Sequence, residues 1–260
     1  MEPPATRRIR LTLHYDGADF HGWQVQRGVR TVQQELEAAL ERLTTQPIRV
    51  AAAGRTDTGV HATGQVVSFD VPERWQAADL KRALNAVLPG DVWVEAAAEA
   101  APDFHARFSA SDRAYEYRLG LDGRAASPFH RRTCWVMRDR LDPLLLDRAA
   151  NLLLGEHSFR AFAHAGQEER GDRCIVYESK WWEWAPLGVV YRVRANRFLH
   201  HMVRYLVGTM VDVARGRRPL EDVASLLSGA AGVETSPPAP PHGLFLVRVG
   251  YERRESSGRS

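Results

Sequence analysis

The order of apolar periods along the first hundred residues is the tightest constraint on this chain. Ile9, Leu11, Leu13 and Tyr15 alternate with polar residues, the period-two pattern of a strand buried on one face. Val32, Leu36, Leu40 and Leu43 then recur at helical spacing behind Thr31, with Gln34 three residues on as a capping box. Residues 48–53 and 65–71 read as strands, and residues 79–88 as a helix ended by Pro89-Gly90. Residues 92–98 read as another strand. The order β-α-β-β-α-β predicts an α+β layer with helices laid on a sheet.

Residues 106–252 read the same way. Strands are expected at 114–121 and 134–137, a helix at 141–154, a hairpin at 175–184 and 189–195, helices at 198–215 and 219–227, and a last strand at 244–251. The expected architecture is two similar α+β halves, 1–105 and 106–252, joined by a hinge near 96–102. The Pro-rich segment 234–242 must be extended, because proline has no amide proton to give a helix. The tail 253–260 is Ser, Gly and Arg, and is expected to be disordered.

No run approaches the roughly 18 apolar residues of a membrane span, and the first eight residues lack a signal-peptide core. Cys134 and Cys174 form no C-x-x-C pair, so a thiolate metal site is not expected and a reducing cytoplasm fits. Of 35 basic residues only Lys81 and Lys180 are lysine, leaving 33 arginines. Placement matters more than the net charge of +3. Residues 1–110 sum to −2 and residues 111–260 to +5. The densest basic stretch, Arg192 to Arg218, carries seven arginines against one acid, Asp212. It is read either as a track for a polyanion or as a helix face whose counter-charges come from elsewhere in the fold.

The chemistry concentrates in residues 54–62, Gly-Arg-Thr-Asp-Thr-Gly-Val-His-Ala. Two glycines bracket a carboxylate, Asp57, with Arg55 two residues before it. An adjacent guanidinium favours the ionised carboxylate, which suits a nucleophile better than a general acid. Asp-Thr-Gly also signs aspartic proteases, whose two carboxylates share a proton. The polar Arg55-Thr56 before Asp57 and the lack of a second such triplet weigh against that reading. His200 and His201 are adjacent; on a helix they would point apart and could not share a metal, and no metal-ligand spacing occurs. No G-x-G-x-x-G or P-loop occurs either.

Residues 54–62 match G-R-T-D-x-G-V-H-A throughout, the active-site motif of the TruA-type tRNA pseudouridine synthases, and the chain resembles that family from about residue 9 to 251. Tyr15-Asp16-Gly17 with Gly22-Trp23-Gln24 looks like its first-strand signature. Ala83-Leu84-Asn85-Ala86 with Leu88-Pro89 looks like its second-helix signature. Phe104-His105-Ala106-Arg107-Phe108 and Arg113-x-Tyr115-x-Tyr117 resemble its central motif. Phe198 to Arg204 resembles its basic helix, and Ala239-Pro240-Pro241-x-Gly243-Leu244 its last-strand entry.

The resemblance implies the pseudouridine synthase fold, with a mixed, largely antiparallel sheet and a central basic cleft. It implies conversion of uridine to pseudouridine at positions 38, 39 and 40 of the tRNA anticodon arm, by a homodimer without cofactor. Asp57 would be the nucleophile. Arg55 would pair with it and hold the target base out of its stack. Tyr115 would stack on the base and act late as general base, and Arg204 would pair with Asp57. His105, Arg107, Arg113, Arg197, His200 and His201 would contact the RNA. A non-catalytic tRNA-binding relative is the alternative. Residues 159–173 depart most from the family pattern, bringing Glu168 and Glu169 where the family has Cys, Ser and Pro.

Overall fold

In the computed structural model, residues 5–163 and 171–251 are described. The first half supplies β1 (Thr6–Tyr15), α1 (Val32–Thr44), β2 (Ala51–Ala52), β3 (His61–Pro72), α2 (Ala77–Val87) and β4 (Val92–Glu99). The second supplies β5 (Ala110–Gly120), β6 (Trp135–Val136), α3 (Pro143–Asn151), β7 (Gly155–Ser158), β8 (Arg173–Trp184), β9 (Gly188–Ala195), α4 (Met202–Ala214), α5 (Glu221–Ser228) and β10 (Leu244–Tyr251).

The ten strands of the described residues form one sheet, ordered β4-β1-β3-β10-β5-β9-β8-β7, with β2 beside β3 and β6 beside β5. Most pairs are antiparallel. The joint between the halves is β10, the last strand in sequence. It lies parallel to β3, with Phe245 opposite His61, and antiparallel to β5, with Leu246 opposite Tyr115. One apolar core runs through both halves, from Ile9, Leu11 and Leu13 to Tyr117, Val193, Leu206 and Leu246.

Local chemistry explains the elements. Thr31 caps α1 through its side chain, accepting from the Gln34 amide at 3.4 Å. Arg30 grips Asp91 with two bonds of 2.6 and 3.0 Å and Glu35 at 2.7 Å, fixing the start of α1 against the start of β4. Asn85 clamps α2 to β4, its amide nitrogen donating to the Val94 carbonyl and its oxygen accepting from the Val94 amide. Asp142 caps α3 and Pro143 opens it, so that helix begins two residues after the apolar period that suggested it.

Several expectations shift. Strand β3 begins at His61, four residues early, so the polar loop is shorter than its glycines implied. The strand expected over residues 48–53 shrinks to Ala51–Ala52. Strand β4 runs to Glu99, into the expected hinge. Helix α4 begins at Met202, not at residue 198, because His201 takes a left-handed backbone conformation (φ 63°) that no α-helix contains. The expectations for the centre of the 159–173 loop and for the tail fall outside the described residues.

Candidate active site

The Asp57 loop is cast in a mould made by the segment that follows β1. Thr56 is buried, and its hydroxyl meets the Tyr15 hydroxyl at 2.8 Å. Burial holds the Tyr15 phenol well above its ordinary pKa, so it stays a neutral hydrogen-bonding group. Gln65 donates to the Gly54 carbonyl at 2.8 Å and to the Tyr15 oxygen at 3.4 Å. The Trp23 amide donates to the Thr56 carbonyl at 3.0 Å, the Gly59 amide to Phe20, and the Val60 amide closes the turn on the Asp57 carbonyl. Gly22 sits at φ +80°, and a Cβ there would lie 2.6 Å from the Thr56 carbonyl oxygen. Only glycine allows that approach and that backbone angle.

His61, directly after the loop, ties the halves together. Its ring is buried and stacks on Phe245 with centroids 4.6 Å apart. Nδ1 accepts from the Gly17 amide at 3.1 Å, and Nε2 faces the Arg132 and His242 carbonyls at 3.1 and 3.2 Å. Burial depresses its pKa, against the opposing pull of Asp16. Nδ1 also lies 3.1 Å from Asp16 Oδ1, while the two carbonyls that Nε2 faces can only accept.

The other wall is the turn before α4. The left-handed conformation of His201 turns both imidazoles toward Asp57, with ring centroids 3.9 Å apart. His200 Nε2 lies 3.4 Å from Asp57 Oδ1 and His201 Nε2 lies 3.3 Å from Oδ2. Arg204 Nη1 is 3.9 Å from Oδ2. This corrects the expectation that the adjacent histidines point apart. That argument assumed a helix, and both residues precede it. The donor atoms of Asp57, His200 and His201 all lie within 4.8 Å of one another, close enough to take one metal ion.

Arg204 is held from behind. Its Nε donates to the Ala239 carbonyl at 2.7 Å, and the Ala239 amide returns a bond to the Arg204 carbonyl at 2.9 Å. The Pro-rich segment is extended, as its prolines require. It runs so close to α4 that a Cβ on Gly208 would sit 2.1 Å from the Pro237 carbonyl oxygen.

Tyr115, on β5, is 9% exposed and meets Phe198 edge to face at 5.0 Å. Burial, and then the nearby Asp57 charge, push its phenol up to about 12. It is protonated at neutral pH, which suits an apolar platform for a base and opposes service as a resting general base.

Arg55 is exposed, and its guanidinium makes no ion pair among the described residues. The expected Arg55–Asp57 pair is absent, because Asp57 opens its turn toward α4 while Arg55 faces solvent. The partners of Asp57 come from the other half of the chain.

The remaining candidates separate by position. The Arg113 guanidinium bonds the carbonyls of Ala53, Arg107, Ala110 and Asn196. It fastens the entry of the Asp57 loop to the segment before β5, a bracing role. His105 Nδ1 accepts from the Arg107 and Phe108 amides and shapes the turn that leaves Phe108 73% exposed, with the exposed Arg107 5.8 Å from its ring. Arg197 donates to the Gly171 carbonyl. In the basic stretch, Arg192 and Arg194 face Glu178, with Glu116 and Asp112 beside them. Arg215 pairs with Asp139, and Arg218 with Asp222. Much of that stretch is thus neutralised from elsewhere in the fold. Sequence reading missed Gly22, Phe198 and Ala239 as parts of the site; the first-strand and last-strand motifs were the signal for Gly22 and Ala239.

A family model described as tRNA pseudouridine synthase matches residues 12–109 and 149–252. The tRNA pseudouridine synthase A of Moorella thermoacetica is 42% identical over 94% of this chain and 99% of its own length. The enzyme of the same name from Chlorobium limicola is 43% identical over 94% of this chain and 100% of its own. That from Halalkalibacterium halodurans is 42% identical over 93% and 92%. With that family model over most of the chain and relatives above 40% identical over nearly their whole length, this chain belongs to the tRNA pseudouridine synthase family.

Proposed function

We propose that the isomerisation of uridine to pseudouridine in tRNA, the reaction that family membership brings, is carried out here by Asp57 as nucleophile on the anticodon arm, at positions 38, 39 and 40. The observation that carries the role of Asp57 is the convergence of His200, His201 and Arg204 on its two oxygens, with Asp57 still 24% exposed and reachable by a substrate. Arg204, a permanent cation, and two imidazoles face the oxygens that would attack.

The reaction breaks the bond from uracil N1 to the ribose and remakes it from C5. C5 gives up a proton and N1 gains one, so the balance needs neither a redox cofactor nor an external group donor. The target base must leave its stack. Arg55, exposed beside Asp57, is placed to fill the space it leaves. Tyr115, backed by Phe198, offers the displaced base a flat apolar face. For Tyr115 to take the C5 proton late in the reaction, its phenol must first pass its own proton to solvent or to the nearby Asp57 carboxylate, after which the phenolate accepts the proton from C5. Exposed Arg107 and Phe108 border the loop entry through Arg113 and suit flanking RNA. Resemblance alone supports the homodimer and a cytoplasmic setting; a monomer mass by light scattering removes the former. No helix of the described residues is long and apolar enough to cross a membrane.

The described residues bring no second carboxylate to Asp57 for the protease alternative: the groups facing it are basic. The test is a carbodiimide primer-extension map of tRNA treated with the protein. Stops in the anticodon arm with the wild type and none with Asp57→Ala are expected. Salt-dependent binding without modification by the wild type would leave the tRNA-binding relative instead.

A further inference from the structure

We propose that Asp57, His200 and His201 form a binding site for a borderline transition-metal dication such as Zn²⁺, and that an ion bound there silences the enzyme by occupying its nucleophile. The second clause rests on the reading of Asp57 as nucleophile; the first does not.

The geometry is the main support. Two ligands on a tetrahedral zinc, with bonds of about 2.0–2.1 Å, stand about 3.3 Å apart. His200 Nε2 and His201 Nε2 lie 3.4 and 3.3 Å from the Asp57 oxygens. Those separations exceed the roughly 2.7–2.9 Å of a charge-assisted hydrogen bond. All three donor atoms fall within 4.8 Å, so small side-chain rotations bring them around one ion. Two imidazoles and a carboxylate make a donor set that suits zinc, cobalt and nickel and not magnesium, which prefers oxygen. The donors are 44%, 23% and 24% exposed, which leaves an entry path and a solvent-facing fourth position.

Arg204 opposes the ion. Its guanidinium is 3.9 Å from Asp57 Oδ2 and is anchored at Ala239, so it cannot withdraw freely. That charge weakens the site relative to a structural zinc centre and makes occupancy reversible. A site of this strength registers an excess of free metal without holding zinc permanently.

The ion would take up a carboxylate lone pair, and no bond to the ribose or the base can form while it is held. Zn²⁺ is therefore expected to inhibit the uridine isomerisation, and Mg²⁺ at equal concentration is not.

Calorimetric titration of the full chain with Zn²⁺, without RNA, tests the site directly. The variant is His200→Ala with His201→Asn, since asparagine tolerates the left-handed backbone that position requires. One ion per chain is expected, with affinity at least about 10-fold weaker in the double variant, the lower end of what even an outer-sphere partner contributes. Visible absorption of the Co²⁺-substituted protein should show a tetrahedral band that the variant lacks. Equal affinity in wild type and variant, or no wild-type binding, overturns the site. Binding that is lost in the double variant while Zn²⁺ leaves the isomerisation untouched overturns the silencing alone; the nucleophile assignment falls separately, to activity retained by Asp57→Ala.

Discussion

The two walls around Asp57 are built by opposite means. The loop wall is a relaxed cast. Every strained backbone angle in it falls on a glycine, and its buried polar groups are paired through Tyr15, Thr56 and Gln65. The wall before α4 puts a non-glycine residue, His201, at φ 63° and leaves its contacts to Asp57 long, at 3.3–3.9 Å. The comparison teaches a division of labour. A nucleophile needs a fixed position, which a cast supplies. The groups that hold its charge need only reach it, and the fold accepts local strain to let them.

The sharpest test of that division is the proposed nucleophile, Asp57. Asp57→Ala should lower pseudouridine formation by at least about 10⁴-fold, with an unchanged circular-dichroism spectrum; residual activity within 10-fold of wild type would empty the cast of its purpose. Next is the mould. Gly22→Ala forces a Cβ against the Thr56 carbonyl, and should cost about 1–3 kcal/mol in urea unfolding as well as most of the activity. A variant of normal stability and activity would show that the loop is not held by this approach.

Smaller is the strain on the opposite wall. His201→Gly should relieve the left-handed backbone and, after the extra chain entropy of glycine, raise stability by up to about 1 kcal/mol while activity falls. A drop in stability would mean that the His201 contacts outweigh the strain. The pH dependence of stability separates the walls again. His61 is depressed below its unfolded pKa, so the unfolded chain binds its proton first as pH falls. The His61 contribution is whole above about pH 6.5 and is lost below it. Wild-type urea midpoints should therefore fall between pH 7.5 and 5.5 by more than those of His61→Asn; parallel profiles would contradict it. The smallest effect expected is at Arg217, 60% exposed and three residues past the end of α4. Arg217→Ala should lower the slope of log affinity for tRNA against log salt by about one, with kcat unmoved.

The apolar periods placed nearly every element, because burial on one face writes a period into the sequence. The motif at residues 54–62 placed Asp57, and the flanking motifs placed Tyr115 and Arg204. What stayed hidden was three-dimensional. Nothing local says that His201 leaves the helical conformation, and helical periodicity argues the reverse. Arg113 reads as an RNA-facing cation until its four carbonyl partners, scattered from Ala53 to Asn196, are brought together. The arginine stretch reads as a phosphate track until Glu178, Asp139 and Asp222 are folded against it. Counter-charge is a tertiary property, so charge density along a sequence overstates charge density in space.

The position of β10 bears on how the enzyme comes into being on the ribosome. The chain is made from its N-terminus, and β3 and β5 are both synthesised long before the strand that joins them. Until β10 emerges, each presents an open edge, and open edges are where chains pair wrongly. His61 also waits for β10, because Phe245 and the His242 carbonyl complete its surroundings. The sheet and the site floor are thus completed by the same strand, so the surroundings of His61 close only when the two halves join.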